Sequence, residues 1–314
     1  MGWPMCTHVR AKISPSAPLY IYDINTAVLE KFVAKNKDKG EIVIAKSPRE
    51  VAEHSDLVVS ILPEGRHVKS VYFTPETGIL ATKNRKDIIF VDSSTIDPES
   101  SSEVCKAVEE SGLGEFVDAP VSGGTYGAED ATLTFMVGCN EQHHLWPILL
   151  PILKMMGRNI MPCGAPTFGL VAKITNNYLS GINAIATSEA MNIGIRLGMD
   201  PRVLQKVIAV SSGRNGVNEI INPVPGIHPN APTSKNYRGG FKISLMRKDM
   251  GLANQAAKQA NAKMVLGDLA YQIYCDAEKD PNCFDRDNRV VYRFIGGKED
   301  AIPGYPKPDV EEER

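Results

Sequence analysis

The stretch LYIYDINTAVLEKFVAKNKDKGEIVIA, residues 19–45, decides how this chain is to be read. LYIYD (19–23) has the composition of a strand, TAVLEKFVAKN the spacing of an amphipathic helix, and IVIA (42–45) returns to strand. A strand, a helix-length segment and a second strand make a βα unit, which sets consecutive strands parallel in one sheet. The alternation continues outward from there. SPREVAEHS opens with Ser47 as a helix cap and Pro48 at the first helical position. DLVVSILP (56–63) and DIIFVDSS (87–94) read as buried strands, and DPESSSEVCKAVEESG as a helix closed by Gly112. EFVDAP and ATLTFMVG read as further strands, followed by a helix around LWPILLPILKMMG.

Beyond about residue 164 the pattern changes. GLVAKITNNYLSGINAIATSEAMNIGIRLG is one long helical stretch, and DPRVLQKVIAVSSG, ISLMRKDMGLANQAAKQAN and MVLGDLAYQIYCDAEK are helical in turn. The expected fold class is an α/β N-terminal domain with a mostly parallel sheet over 1–163 and an all-α domain over 164–297. A long helix joins them, and a Gly/Pro-rich charged tail over 298–314 is expected to be disordered.

Composition narrows the function. The 314 residues are 43% hydrophobic and 23% charged, with a net charge of −2, the balance of a globular chain with a core. Nothing is basic enough to point to nucleic acid. No run approaches the ~20 apolar residues that span a bilayer, so no membrane partner is expected. The N-terminus shows neither an export signal nor an Arg/Ser-rich transit pattern. The six cysteines form no CxxC pair, which argues for thiols in a reducing compartment. His143 and His144 are adjacent and would point apart on a helix. They read as solvated helix-start residues, and no metal is expected.

The opening MGWPMCTHVRAK reads as the first turns of a helix. In a dinucleotide-binding sheet, a glycine-rich turn after the first strand holds the pyrophosphate at a helix N-terminus. An acidic residue about 20 positions on binds the ribose. Asp23 stands 21 positions after Gly2. Gly2 then fits the third glycine of G-x-G-x-x-G, with the first strand and first two glycines expected before Met1. Asp23 is otherwise a turn former or helix cap.

Longer motifs follow. DAPVSGGTYGAEDATLTFMVG (118–138), FGLVAKITNNYLSGINAIATSEAMNIGIRLGMDP (168–201), NPVPG (222–226), NYRGGF (236–241) and LMRKDMGLA (245–253) occur in this order. Together they resemble the β-hydroxyacid dehydrogenases, from Gly2 to about Gly297. The resemblance implies a Rossmann domain, a long helix and an all-helical domain. It implies NAD as cofactor, a small hydroxyacid substrate, a homo-oligomer (dimer or tetramer) and a mitochondrial location. The reaction it implies is oxidation of 3-hydroxyisobutyrate to methylmalonate semialdehyde, in valine breakdown. Reduction of another small semialdehyde, or a catalytically impaired shortened form, stands as the alternative.

Site residues follow from the same resemblance. Lys173, on pattern alone a lysine snorkelling from a buried helix, takes the role of general acid/base. Asn177 lies four residues on, on the same helix face, and hydrogen-bonds substrate; otherwise it is a buried amide bonding a loop. Ser122, Gly123 and Gly124, otherwise a tight turn, become a substrate carboxylate clamp. Lys248, otherwise a solvated helix charge, reaches the substrate from the helical domain. Leu62 and Pro63 end one strand and Ser94 and Thr95 the next, at the carboxyl edge where such sheets bind ligands. They become cofactor contacts beside Gly2 and Asp23. A carboxylate at Asp23 favours NAD, because it would repel a 2′-phosphate. Thr167 stands where the family commonly has glycine, and a β-branched residue resists positive φ. The start of the long helix is therefore expected to differ.

Overall fold

The computed structural model describes residues 1–306. It divides into two compact units, Met1–Lys173 and Ile174 onward. The first unit runs α1 (Gly2–Lys12), β1 (Leu19–Ile21), α2 (Thr26–Asn36), β2 (Ile42–Ile44), α3 (Pro48–Glu53), β3 (Leu57–Ser60), α4 (Gly65–Phe73), β4 (Ile88–Asp92) and α5 (Pro98–Ser111). It continues with β5 (Gly114–Asp118), β6 (Val121–Ser122), α6 (Gly124–Glu129), β7 (Leu133–Val137), α7 (Trp146–Leu153) and β8 (Gly157–Pro162). Helix α8 (Phe168–Arg196) crosses the boundary. The second unit adds α9 (Pro201–Val210), α10 (Gly216–Ile220), α11 (Ile243–Gln259), α12 (Gly267–Lys279) and α13 (Val291–Phe294).

Local chemistry sets most of these limits. Asn25, Ser47, Asp97 and Asp200 each accept a backbone N–H in the first turn of the helix they cap. Gly112 closes α5 in the left-handed region at φ 69°. Strands β3, β4 and β5 pair in parallel. All five residues of β4 are buried, as a strand covered on both faces requires. Ile88 and Phe90 face one cluster with Val68, Tyr72, Val104 and Phe116. Ile89 and Val91 face the other, with Val117, Leu149 and Leu153.

Strands β1 and β2 form their own parallel pair. Among the described residues, no strand is hydrogen-bonded to both β1 and β3. Helix α1 ties the two groups together instead. Trp3 and Cys6 pack with Ile21, Leu29 and Phe32, while Met5 and Val9 pack with the β4–β5 cluster. Arg10, near the end of α1, is fully buried. Its guanidinium donates to the carbonyls of Ser14, Ala17 and Glu41 and so fixes the approach to β1.

Three expectations change. The helix around LWPILLPILKMMG stops at Leu153, and an unexpected strand, β8, follows. β8 is an edge strand pairing with β7 alone and exposing Arg158 and Asn159, so it carries no alternating apolar signal. The two compact units part at 173/174, ten residues past the expected domain boundary, because the first turns of α8 pack into the first unit's core through Leu170. The tail expected to be disordered from 298 is folded as far as 306. Ile302 is 2% exposed, and Ala301 packs on the cluster of Met191, Ile195, Val224 and Tyr292. Residues 307–314 of that tail lie outside the described residues.

In the second unit, α8 and α11 cross at Gly181. An added Cβ there would lie 2.8 Å from the Met250 sulfur. Tyr274 on α12 closes the crossing by donating to the Gly181 carbonyl at 2.9 Å.

Candidate active site

The carboxyl ends of β3 and β4 are latched by one buried carboxylate. Ser60 and Ser94 both donate their hydroxyls to Asp92 Oδ1 at 2.7 Å. Ser94 Oγ in turn accepts the N–H of Leu62 at 2.8 Å. The loops carrying Leu62, Pro63, Ser94 and Thr95 are thus held together at the edge where ligands of such sheets bind. Gly2 reaches the same edge: a Cβ on it would lie 3.3 Å from Ile61 Cγ2.

Burial pushes the Asp92 carboxyl up to about 6, against the bonds from Ser60 and Ser94 that pull it down. A raised native value means the folded chain holds more protons than the unfolded chain between about pH 4 and 6. The stability this group contributes is full below that window and lost as pH rises through it. Both hydroxyls converge on one oxygen, so asparagine can offer its carbonyl to both. Asp92→Asn is expected to stabilise the protein above pH 6 by up to about 3 kcal/mol and to flatten the dependence of the melting midpoint on pH between 4 and 6. A lower midpoint than wild type at pH 7.5 would count against this assignment.

Asp23 follows β1, exposed, with Oδ1 accepting the Asn25 N–H at 2.8 Å. It therefore also serves the local turn. Helix α1 starts with no side-chain cap and no acidic residue in its first turn. The N–H groups of Gly2 and Trp3 stand there, while Pro4 has none. These groups fit NAD. An exposed carboxylate suits the ribose diol, and an uncapped helix start suits a phosphate. The apolar loop after β3 and the hydroxyl-bearing loop after β4 suit the nicotinamide end.

The second element of the site is a helix cap made at long range. Asp118, the last residue of β5, accepts the Thr167 N–H on Oδ1 at 2.7 Å and the Leu170 N–H on Oδ2 at 3.0 Å. It is 2% exposed. Burial pushes its carboxyl up, and the N–H groups of Thr167 and Leu170 pull it down. Gly138 and Gly169 make room for it. A Cβ at Gly138 would stand 1.9 Å from Asp118 Oδ1, and one at Gly169 2.8 Å from Oδ2. Asp118 thereby anchors the start of α8, on which Lys173 sits 6% exposed between buried Leu170 and Ile174. Three residues past Asp118 the chain enters β6, ending at Ser122. Gly123 (φ 129°) and Gly124 (φ 65°) then turn it into α6 in conformations that side chains resist.

Thr167 does adopt the left-handed region, at φ 70°, with its N–H held by Asp118. The start of α8 thus holds a β-branched residue in a strained conformation. Thr167→Gly is expected to raise stability by about 0.5–1 kcal/mol, the αL penalty of a β-branched residue less the extra entropy glycine loses. A thermal melt at neutral pH measures it, and an unchanged or lower midpoint would refute it.

In the second unit, Asn177 (6% exposed) donates to Asp249 Oδ2 at 2.6 Å, and Lys248 Nζ lies 3.1 Å from Asp249 Oδ1. Two expected site residues therefore meet at a carboxylate, 1% exposed, that the sequence reading passed over. Its signal was positional: Asp249 shares the buried face of α11 with Ile243, Met246, Met250 and Ala253. Asp92 and Asp118 were also missed, each a charge ending an apolar strand.

Comparison with known proteins follows this geometry. Residues 1–164 match the NAD binding domain of 6-phosphogluconate dehydrogenase. Residues 168–295 match the NAD-binding domain of NADP-dependent 3-hydroxyisobutyrate dehydrogenase. The chain is 44% identical over 274 residues to the mitochondrial 3-hydroxyisobutyrate dehydrogenase of Mus musculus, covering 87% of this chain and 78% of that protein. It is 37% identical over 274 residues to an NAD-dependent L-serine dehydrogenase of Pseudomonas aeruginosa, covering 87% and 88%. Among solved structures, a Mycobacterium tuberculosis 3-hydroxyisobutyrate dehydrogenase with L-serine superposes with TM-score 0.79 at 32% identity, covering 94% of this chain and 95% of that one.

Proposed function

The chain belongs to the NAD-dependent β-hydroxyacid dehydrogenases, the family of 3-hydroxyisobutyrate dehydrogenase, and from that membership we propose that it oxidises 3-hydroxyisobutyrate to methylmalonate semialdehyde, a step of valine breakdown. The observation that carries the reading is a lysine almost wholly buried on a helix whose start is tied to the sheet by Asp118. Bound NAD supplies a hydride acceptor. The neutral Lys173 amine takes the hydroxyl proton as the carbinol carbon gives up its hydride, and in reduction the ammonium returns that proton. Asn177, oriented by Asp249, offers its amide to substrate, and Lys248 its charge to the carboxylate. The backbone at Ser122, Gly123 and Gly124 supplies donors to the same carboxylate.

L-serine is the second reading, favoured by the serine dehydrogenase relative and the serine-bearing structure. Both are three-carbon-backbone β-hydroxyacids. The mitochondrial names of the relatives support the same compartment here. Exposed Leu197 (82%) and Val210 (87%), with Val203, Val207 and Ile220, support self-association through the helical unit.

The test is NADH formation by the purified chain, with (S)-3-hydroxyisobutyrate and L-serine side by side. A kcat/KM at least tenfold higher for 3-hydroxyisobutyrate is expected. The reverse ratio would assign serine, and no turnover with either would refute both.

A further inference from the structure

We propose that Glu115, His143 and His144 form a binding site for a divalent transition-metal ion, with Zn2+ the best chemical match. The sequence offered two adjacent histidines and no third ligand. The fold supplies one, because the β4–β5 pairing sets Glu115 at the start of β5, beside the loop that leads into α7. One donor atom from each of the three side chains lies within 4.8 Å of the others.

The backbone under the pair is fixed while the side chains are free to adjust. Asn140 accepts the Gln142 N–H with its side chain at 2.9 Å and the His143 N–H with its carbonyl at 3.2 Å. The His143 carbonyl accepts the Trp146 N–H at 2.9 Å, and Leu145 is buried in the core below. Above this base, His144 Nε2 lies 2.6 Å from Glu115 Oε1. The two imidazoles stack with centroids 4.5 Å apart. The Leu145 N–H donates to His143 Nδ1 in a long bond at 3.3 Å.

Two imidazole nitrogens and one carboxylate oxygen are a borderline ligand set that suits Zn2+, with bonds of about 2.0–2.2 Å. Such bonds bring neighbouring donors within roughly 3.5 Å of each other. Donors at the 4.8 Å limit must therefore close by about an ångström while the 2.6 Å His144–Glu115 pair opens by less, small rotations for side chains as exposed as His144 and Glu115 (66% and 44%). The ion would replace the hydrogen bond between His144 and Glu115. Glu115 also lines a hollow of about 400 Å³ together with Asp87, Ile88, Gly112, Leu145 and Ile148. That hollow borders the start of β4 and β5. It is at the opposite strand ends from the loops that carry Leu62 and Thr95. The site therefore belongs to neither the dinucleotide nor the substrate. Its effect is to clip the loop before α7 to β5, across 29 residues of chain.

The experiment uses the full chain freed of metal with a chelator and titrated with Zn2+ in a calorimeter. Co2+ absorption then reports the ligand type. Wild type is expected to bind one Zn2+ with a micromolar dissociation constant and to melt at a higher temperature when loaded. Affinity should fall at least tenfold in His144→Ala and in Glu115→Gln, both exposed positions that leave the unloaded fold intact. Co2+ should show no thiolate charge-transfer band. NADH formation in metal-free buffer should be the same for both variants and wild type. Absence of binding at millimolar Zn2+ overturns the proposal, as does binding that survives His144→Ala. Binding that is lost on alkylating the cysteines does so too, by assigning the ion to thiols.

Discussion

Lys173→Ala is expected to lower kcat for hydroxyacid oxidation by about 10²–10⁴-fold, the range set by losing a positioned proton acceptor. The substitution trims a side chain from a helix whose neighbours Leu170 and Ile174 stay buried, so the melting midpoint should move little. Lys173→Arg separates charge from proton transfer. A guanidinium keeps the positive charge but does not deprotonate near neutral pH, so this variant should be as slow as alanine. Substrate affinity in the arginine variant should stay closer to wild type. Small amines added to the alanine variant should restore part of the rate. Steady-state kinetics under NADH absorbance give all three readings. Retention of more than a tenth of wild-type kcat by Lys173→Arg would remove Lys173 from the proton-transfer role.

Asp118→Ala has the largest expected effect on stability. It leaves the Thr167 and Leu170 N–H groups without acceptors in a buried setting, each costing about 1–3 kcal/mol. It also leaves a cavity where Gly138 and Gly169 had made room. A loss of roughly 3–5 kcal/mol is expected, with a fall in kcat because the turn before Lys173 loses its anchor. Asp118→Asn should not rescue it. Each carboxylate oxygen accepts one N–H, so an amide group would face a donor on one side or the other. This contrasts with Asp92, where two hydroxyls share one oxygen and asparagine is expected to be tolerated. Thermal melts of the four variants, Ala and Asn at each position, decide the matter. If Asp118→Asn melts with wild type, the two-sided cap is refuted.

The two lead variants also separate chemistry from architecture. Lys173→Ala should cost rate and spare the melting midpoint. Asp118→Ala should lower the midpoint first and the rate as a consequence.

What the sequence determined by itself is what repeats locally. The strand–helix alternation from Leu19 onward, the caps at Ser47 and Asp97, the stop at Gly112 and the long helical run after Phe168 are all properties of contiguous residues. Period and cap chemistry act over a few positions, so a linear reading finds them. Longer motifs in a fixed order then carried the family. β8 escaped that reading because an edge strand is half solvated, and GRNIMP buries too little to show a pattern. The tail at 298–306 escaped it because Gly/Pro-rich composition describes the chain and not the apolar surface that Ile302 meets.

Only the tertiary structure decided which polar groups answer one another. Asp118 meets Thr167 across 49 residues, Asn177 meets Asp249 across 72, and Glu115 meets His144 across 29. A buried carboxylate must find donors wherever the fold brings them. The residue type shows that a partner is needed, and the packing of distant segments alone determines which one it is.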